Sequence, residues 1–128
     1  MLVEDDAGFR GVLKLLFESA GWDVLVAADG AVGLATAERM APDVVVTDLR
    51  MPRMSGIELA AELAAASDES PVPVIAITSD TSSLREAAIR SGFFVEVLSK
   101  PVSPRTLLES VRRATRPNGG ARTEKTEP

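Results

Sequence analysis

The chain has 128 residues, a net charge of −5, no histidine and no cysteine, and its length suits a single domain. The negative charge argues against direct nucleic-acid binding, which needs clustered Lys and Arg. The absence of cysteine excludes disulfides and thiolate metal sites. Because histidine is absent as well, a metal would need oxygen ligands, which favours Mg²⁺, Mn²⁺ or Ca²⁺ over zinc. No apolar run reaches the ~18 residues of a membrane span and no signal peptide pattern is recognised, so we expect a cytoplasmic protein.

The first half of the chain alternates short strands with helices. Residues 1–3, "MLV", predict a strand, and a helix follows between the cap Asp6 and the terminal Gly21. Residues 24–28 predict a second strand, followed by a second helix that Asp29 caps. Spacing by three and four residues predicts that these helical side chains face the core: Phe9, Val12, Leu13, Leu16, Phe17, Leu34 and Ala35.

The first predicted strand is short, because a mean strand has about five or six residues. Two missing buried Val or Ile residues would cost roughly 3–6 kcal/mol, a large part of a typical stability of about 5–15 kcal/mol. We therefore expect that the natural start lies upstream of Met1 or that the chain comes from a longer one. Two or three apolar residues added before Met1 should then raise the melting temperature.

The second half continues the alternation. Residues 43–48, "DVVVTD", and 74–78, "VIAIT", are apolar without alternation, which is typical of strands buried on both faces. The remaining predicted elements are helices over 56–66 and 83–91, a strand over 95–99 and a last helix that begins at Pro104. Repeated strand–helix units predict a parallel sheet with helices on both faces, which is a three-layer α/β domain.

Polar side chains follow four of the predicted strands where each strand ends. They are Glu4 and Asp5 after the first strand, Asp48 after the third, Thr78 at the fourth and Lys100 after the fifth. Because the carboxyl ends of parallel strands share one edge of the sheet, we expect these side chains to lie together. Two carboxylates about 4 Å apart repel by about 4 kcal/mol at an effective dielectric of about 20. Either one of the three acids is therefore protonated or cations neutralise them, and Lys100 with a hard divalent ion would supply those cations.

Four motifs in this order, "VEDD", "VVVTDLRMPRMSG", "VIAITS" and "LSKP", resemble the receiver domain of bacterial response regulators. The resemblance covers Met1 to Arg116 and leaves residues 117–128, whose composition predicts a disordered tail. It implies a doubly wound, flavodoxin-like fold with five parallel strands in the order 2-1-3-4-5. It also implies a signalling switch rather than an enzyme. Such a switch accepts a phosphoryl group from a sensor histidine kinase or a phosphotransfer protein and acts on a downstream target.

The resemblance implies a metal site made by four residues. Asp5 matches the direct metal ligand, and Glu4 matches the second acid, which usually reaches the metal through water. Asp48 contributes its carboxylate, and Arg50 stands where the family uses the backbone carbonyl as a ligand. The expected ion is Mg²⁺, with Mn²⁺ as an alternative.

The resemblance also implies the phosphoryl-transfer residues. Asp48 matches the phosphoacceptor, Thr78 the hydroxyl that bonds the acyl phosphate, and Lys100 the lysine that pairs with a phosphoryl oxygen. The peptide between Lys100 and Pro101 is expected to be cis. These roles suit a carboxylate nucleophile and a loose transition state that needs positioning and neutralisation more than covalent chemistry.

Two features depart from the family pattern. Val97 stands where the family has an aromatic residue three positions before the lysine, and "GFFVEVLSK" is one residue longer than usual, which makes Phe93 and Phe94 candidates for the aromatic role. Arg50 and Asp80 occupy two variable positions that tune the lifetime of the phosphoryl group in the family. We hypothesise that they pair and gate water.

Several alternatives stay open. The first is a phosphorylation-independent interaction module on the same fold, and the second is a receiver that forms part of a larger hybrid kinase or transcription regulator. A Mg²⁺-dependent phosphatase ranks lower, because its second aspartate is replaced by Arg50. No direct nucleic-acid or membrane partner is expected, whereas a phosphorylation-dependent homodimer is possible by analogy with relatives.

Overall fold

The computed structural model describes residues 1–67, 70–80 and 83–115. Within them, five strands alternate with five helices and form one parallel sheet in the order β2-β1-β3-β4-β5, which confirms the predicted doubly wound, three-layer fold. The predicted tail over 117–128 lies outside the described residues. The elements are β1 (Leu2–Val3), α1 (Ala7–Ser19), β2 (Val26–Ala27), α2 (Gly30–Met40), β3 (Val45–Thr47), α3 (Gly56–Ala65), β4 (Val74–Thr78), α4 (Ser83–Ser91), β5 (Glu96–Ser99) and α5 (Pro104–Thr115).

Element bounds follow the predictions to within one or two residues, with β1 to β3 shorter than predicted. The predicted caps are confirmed. The Asp6 carboxylate accepts the Phe9 N–H at 2.8 Å, and the Asp29 carboxylate accepts the Val32 N–H at 2.9 Å. Gly21 follows α1 with a φ of +96°, a conformation that glycine adopts without steric cost.

Successive residues of each inner strand face opposite helical layers. Leu2 and Val46 pack in an apolar cluster with α1 and α5, whereas Val3 and Val45 pack in a second cluster with α2 and α3. All residues of β1, β3 and β4 are buried, which confirms that these strands are covered on both faces. A third, smaller cluster under α4 consists of Leu49, Ala76 and Ala88 with half-buried neighbours.

Two predicted core positions are wrong. Val12 of α1 is 62% exposed, because the buried stripe of that helix runs through Leu13 and Phe17. Ala35 of α2 is also exposed. That helix packs through its small residues: a Cβ at Gly33 would lie 3.0 Å from a Val3 methyl, so α2 sits too close to β1 for larger side chains. Among the described residues, no helix is long and apolar enough to span a membrane.

Candidate functional site

Three carboxylates meet at the carboxyl edge of the sheet. Glu4 and Asp5 follow β1 and Asp48 follows β3, and these two strands are paired neighbours. One oxygen of each carboxylate lies within 4.8 Å of the others. Glu4 is buried, Asp48 is half-buried and Asp5 is exposed. A cluster of oxygen donors with one open side fits a hard divalent cation that keeps part of its water.

Lys100 provides the positive charge beside these acids. Its Nζ donates to Asp48 Oδ2 at 2.8 Å and lies 3.5 Å from Glu4 Oε1. Burial alone would lower the pKa of Lys100, but the hydrogen bond and charge of Asp48, with those of Glu4, outweigh it and raise that pKa. Nζ also lies 4.6 Å from the Phe9 ring centroid, an attractive cation–π geometry that the sequence does not predict. Lys100 therefore stays cationic while half-buried.

The pKa of Glu4 is raised in this site of excess negative charge. Burial is the main cause that raises its pKa, and the neighbouring Asp48 adds to it, while the Asp6 N–H at 3.0 Å and Lys100 act in the opposite direction. Arg10 does not compensate the carboxylate, since its guanidinium donates to the Glu4 backbone carbonyl at 2.7 Å. One lysine for three carboxylates leaves a site that a bound cation would stabilise.

The carboxylate of Asp48 is held at both oxygens. Oδ1 accepts the Leu49 N–H at 2.7 Å, and Oδ2 accepts the Lys100 ammonium. The following loop closes tightly, because the Gly56 N–H donates to the Leu49 carbonyl at 2.8 Å. A Cβ at Gly56 would lie only 2.2 Å from the Asp48 carbonyl oxygen. Only glycine fits the start of α3 in this geometry.

Thr78 and Arg50 lie on the β4 and β3 sides of Asp48. The buried Thr78 hydroxyl accepts the Asp80 N–H at 3.0 Å. The guanidinium of Arg50, in the loop between β3 and α3, bonds the Asp80 carboxylate at 2.7 Å. The hypothesised Arg50–Asp80 pair is therefore present and links the loops after β3 and β4. The Lys100–Pro101 peptide is cis, as expected.

The ion pair between Arg53 and Asp29 is not predicted from the sequence. The sequence predicts Asp29 only as a helix cap, yet its carboxylate also accepts a hydrogen bond from the Arg53 guanidinium, which lowers the pKa of Asp29. No local signal joins the two residues, because they are 24 positions apart and belong to loops whose contact depends on the strand order.

The altered segment before Lys100 places its aromatic residues differently. Val97 is half-buried in the cluster of Leu49, Ala76 and Ala88, and Phe94 packs into the same cluster. Phe93 is 40% exposed. Of the two candidates, Phe94 is therefore the one that packs beside Val97.

Comparison with known proteins identifies the family. The family model described as "Response regulator receiver domain" matches residues 1–112. The chain is 35% identical over 114 residues to an uncharacterized 14.6 kDa protein of Leptolyngbya boryana, covering 88% of this chain and 86% of that protein. It is 36% identical over 102 residues to the Regulator of RpoS of Escherichia coli, covering 80% of this chain but only 30% of that protein.

A solved structure shows the same likeness. The receiver domain of the sensor histidine kinase PA1611 from Pseudomonas aeruginosa, solved with a magnesium ion coordinated in its active-site cleft, superposes with a TM-score of 0.82 at 30% identity. The match covers 89% of this chain and 93% of that one. Fold, strand order and acidic cluster thus agree with the family match. The chain belongs to the response regulator receiver domain family.

Proposed function

We propose that this chain is a phosphoacceptor switch in which Asp48 accepts a phosphoryl group from a histidine kinase or a phosphotransfer protein. The observation that carries the proposal is the Lys100 ammonium 2.8 Å from Asp48 Oδ2, within a cluster of three carboxylates. Like charges that are close together and partly buried destabilise a fold, and such clusters are concentrated at ligand-binding and functional sites. The ion proposed for the site is Mg²⁺ or Mn²⁺, held by Glu4, Asp5, Asp48 and the Arg50 carbonyl.

In this proposal an Asp48 carboxylate oxygen attacks the phosphorus of a phosphohistidine. The new P–O bond forms as the P–N bond breaks, and the departing imidazole nitrogen keeps the electron pair of that bond. The bound metal would supply charge neutralisation to the carboxylates and the transferred group. Leu49 N–H and Lys100 fix the orientation of the nucleophile, and Lys100 then pairs with a phosphoryl oxygen.

Thr78 would act after transfer. Its hydroxyl now accepts the Asp80 N–H, which leaves the hydroxyl proton available to a phosphoryl oxygen on Asp48. Forming that bond requires Thr78 to turn toward Asp48, which would strain the link through Asp80 to Arg50. We infer that this movement carries the phosphorylation state to the loop before α4.

Intact-protein mass after incubation with acetyl phosphate tests the proposal. We expect one added phosphoryl group in the presence of Mg²⁺, none after chelation and none in Asp48→Asn. The exposed Asp23 supplies the matched control, since Asp23→Asn should be labelled like the unaltered chain. An unaltered chain that is folded but takes no phosphoryl group in the presence of Mg²⁺ would contradict the proposal.

The second candidate is a phosphorylation-independent interaction module. The observation in its favour is Val97, which lacks the aromatic side chain of the family's switch position. The same labelling experiment separates the two functions. The kinase, the downstream target, membership in a longer regulator or hybrid kinase, a phosphorylation-dependent homodimer and a cytoplasmic location remain predictions.

A further inference from the structure

The loop between β3 and α3 reaches past β1 to the start of α2. In the sheet β1 lies between β3 and β2, and the loop that leaves β3 contacts Asp29 and Gly30, which follow β2. The Arg53 guanidinium bonds the Asp29 carboxylate. A Cβ at Gly30 would lie 2.5 Å from the Met54 carbonyl oxygen, which shows how closely the loop packs on α2. The loop therefore borders the carboxylates that follow β1.

The backbone at the contact is strained. Arg53 has a φ of +70°, in the left-handed region that favours glycine. The Met54 N–H donates to the Pro52 carbonyl at 2.8 Å, which closes a three-residue turn centred on Arg53. A non-glycine residue persists in such a turn only where its surroundings hold it there, and such residues concentrate at functional sites. The Arg53 side chain leaves this turn and forms the ion pair with Asp29.

The partner of Arg53 in this ion pair, Asp29, is buried at the start of α2. Asp29 is 3% exposed, and its two carboxylate oxygens have different tasks: Oδ1 caps α2 through the Val32 N–H, and Oδ2 accepts Arg53. The Arg53 side chain is 72% exposed, so burial of its apolar part does not explain why it lies against Asp29. The ion pair thus joins an exposed side chain of the β3–α3 loop to the buried carboxylate that caps α2.

We propose that Arg53 is a positioning residue for the metal site, whose ion pair with Asp29 holds the β3–α3 loop and the Arg50 carbonyl beside Glu4 and Asp5. This inference rests on the proposed function, because it concerns the metal that phosphorylation needs. The charge of Arg53 and its positioning role have opposite effects on the affinity of the site for Mg²⁺. As a nearby cation Arg53 repels Mg²⁺, so its removal should tighten binding by charge alone. As a positioning residue its removal should weaken binding.

Calorimetric titration of the metal-free chain with MgCl₂ tests whether removal of Arg53 weakens or tightens Mg²⁺ binding. Arg53→Gly removes the guanidinium while glycine tolerates the positive φ, and we expect its Kd for Mg²⁺ to rise about tenfold. Arg105→Ala, which removes another exposed arginine in an ion pair on α5, should leave the Kd unchanged. An Arg53→Gly chain that binds Mg²⁺ as tightly as the unaltered chain, or more tightly, overturns the inference.

A second variant tests the same ion pair if the Arg53→Gly chain does not fold. Asp29→Asn keeps the helix cap, since Asn and Asp cap equally well, but removes the charged partner of Arg53. We expect Asp29→Asn to weaken Mg²⁺ binding, and the double variant to bind no more weakly than Arg53→Gly, because the two changes remove one interaction. Additive losses would show that the residues act separately and would refute the pairing.

Phosphorylation supplies the second readout. The Arg53→Gly chain should need more Mg²⁺ for labelling by acetyl phosphate but reach the rate of the unaltered chain at saturating Mg²⁺. A rate that stays low at saturation would mean that Arg53 acts on the phosphoryl group, which contradicts a positioning role. An unaltered chain that neither binds Mg²⁺ nor is labelled would refute the proposed function itself, whereas equal binding by both chains refutes only the role of Arg53.

Discussion

Replacing Gly56 with alanine should displace the Asp48 backbone. The added Cβ would lie 2.2 Å from the Asp48 carbonyl oxygen, where real Cβ contacts stay above 3.0 Å, so the two groups must separate by about 0.8 Å. Overpacking of this kind costs about 1–3 kcal/mol, and the higher helix propensity of alanine offsets up to about 1 kcal/mol. We expect a net loss of about 1–2 kcal/mol in the free energy of unfolding. A shift near 1 Å at a reacting group can also slow the reaction by about 100-fold.

Urea unfolding and the rate of labelling by acetyl phosphate measure the two effects. Gly11→Ala is the matched control, because a Cβ there meets nothing within 4 Å on the exposed side of α1. It should gain about 0.5–1 kcal/mol from helix propensity and keep its labelling rate. If Gly56→Ala were as stable and as rapidly labelled as Gly11→Ala, the reasoning that α3 starts on the Asp48 backbone would be refuted.

Two further predictions concern charges near the ends of the sheet. Arg50→Ala removes the salt bridge to the Asp80 carboxylate, which in the proposed function shields the phosphoryl group from water. The variant should therefore lose its phosphoryl group about two- to tenfold faster, while Arg90→Ala on α4 should not. An unchanged half-life, followed by intact-protein mass, would refute the gating role. The Met1 amine donates to the Val44 carbonyl at 2.7 Å, and burial lowers its pKa from 8.0 to about 6 despite the charge of Asp43. Since the unfolded amine binds a proton between these values and the folded one does not, stability should fall by about 2 kcal/mol from pH 8 to pH 6. Urea unfolding of the Nα-acetylated chain should lack this slope, and an equal slope in both chains would contradict the assignment.

The parts of the fold that the sequence predicts are those that depend on local pattern. Continuous apolar runs identify β3 and β4 because both faces of these strands are covered. Asp6 and Asp29 mark the starts of α1 and α2 because a capping carboxylate acts within three residues. The acidic cluster follows too, since parallel strands bring Glu4 and Asp48 to one edge whatever the detailed packing.

The parts that the sequence does not predict depend on distances between elements. Periodicity assigns Val12 and Ala35 to the core, but how deeply each helix sits is set by its partner, and α2 is drawn close to β1 by Gly33. The ion pair between Arg53 and Asp29 depends on a loop passing a neighbouring strand. These residues show that pattern gives the order of elements, whereas close approach and long-range pairing require the packed structure.

In the proposed function, the acceptor site and the side chains that would carry its signal lie in neighbouring parts of the molecule. Leu49 is fully buried, its N–H holds Asp48 Oδ1, and its side chain packs in the cluster that includes Val97 and Phe94. Phe94 also contacts the second cluster, between the sheet and α3. Because packed cores transmit displacement, a movement of Asp48 would reach Phe94 through Leu49 without any rotation at Val97. In the proposed function, Val97 therefore bears on how a signal leaves the domain, while the three acids and Lys100 bear on how the signal enters.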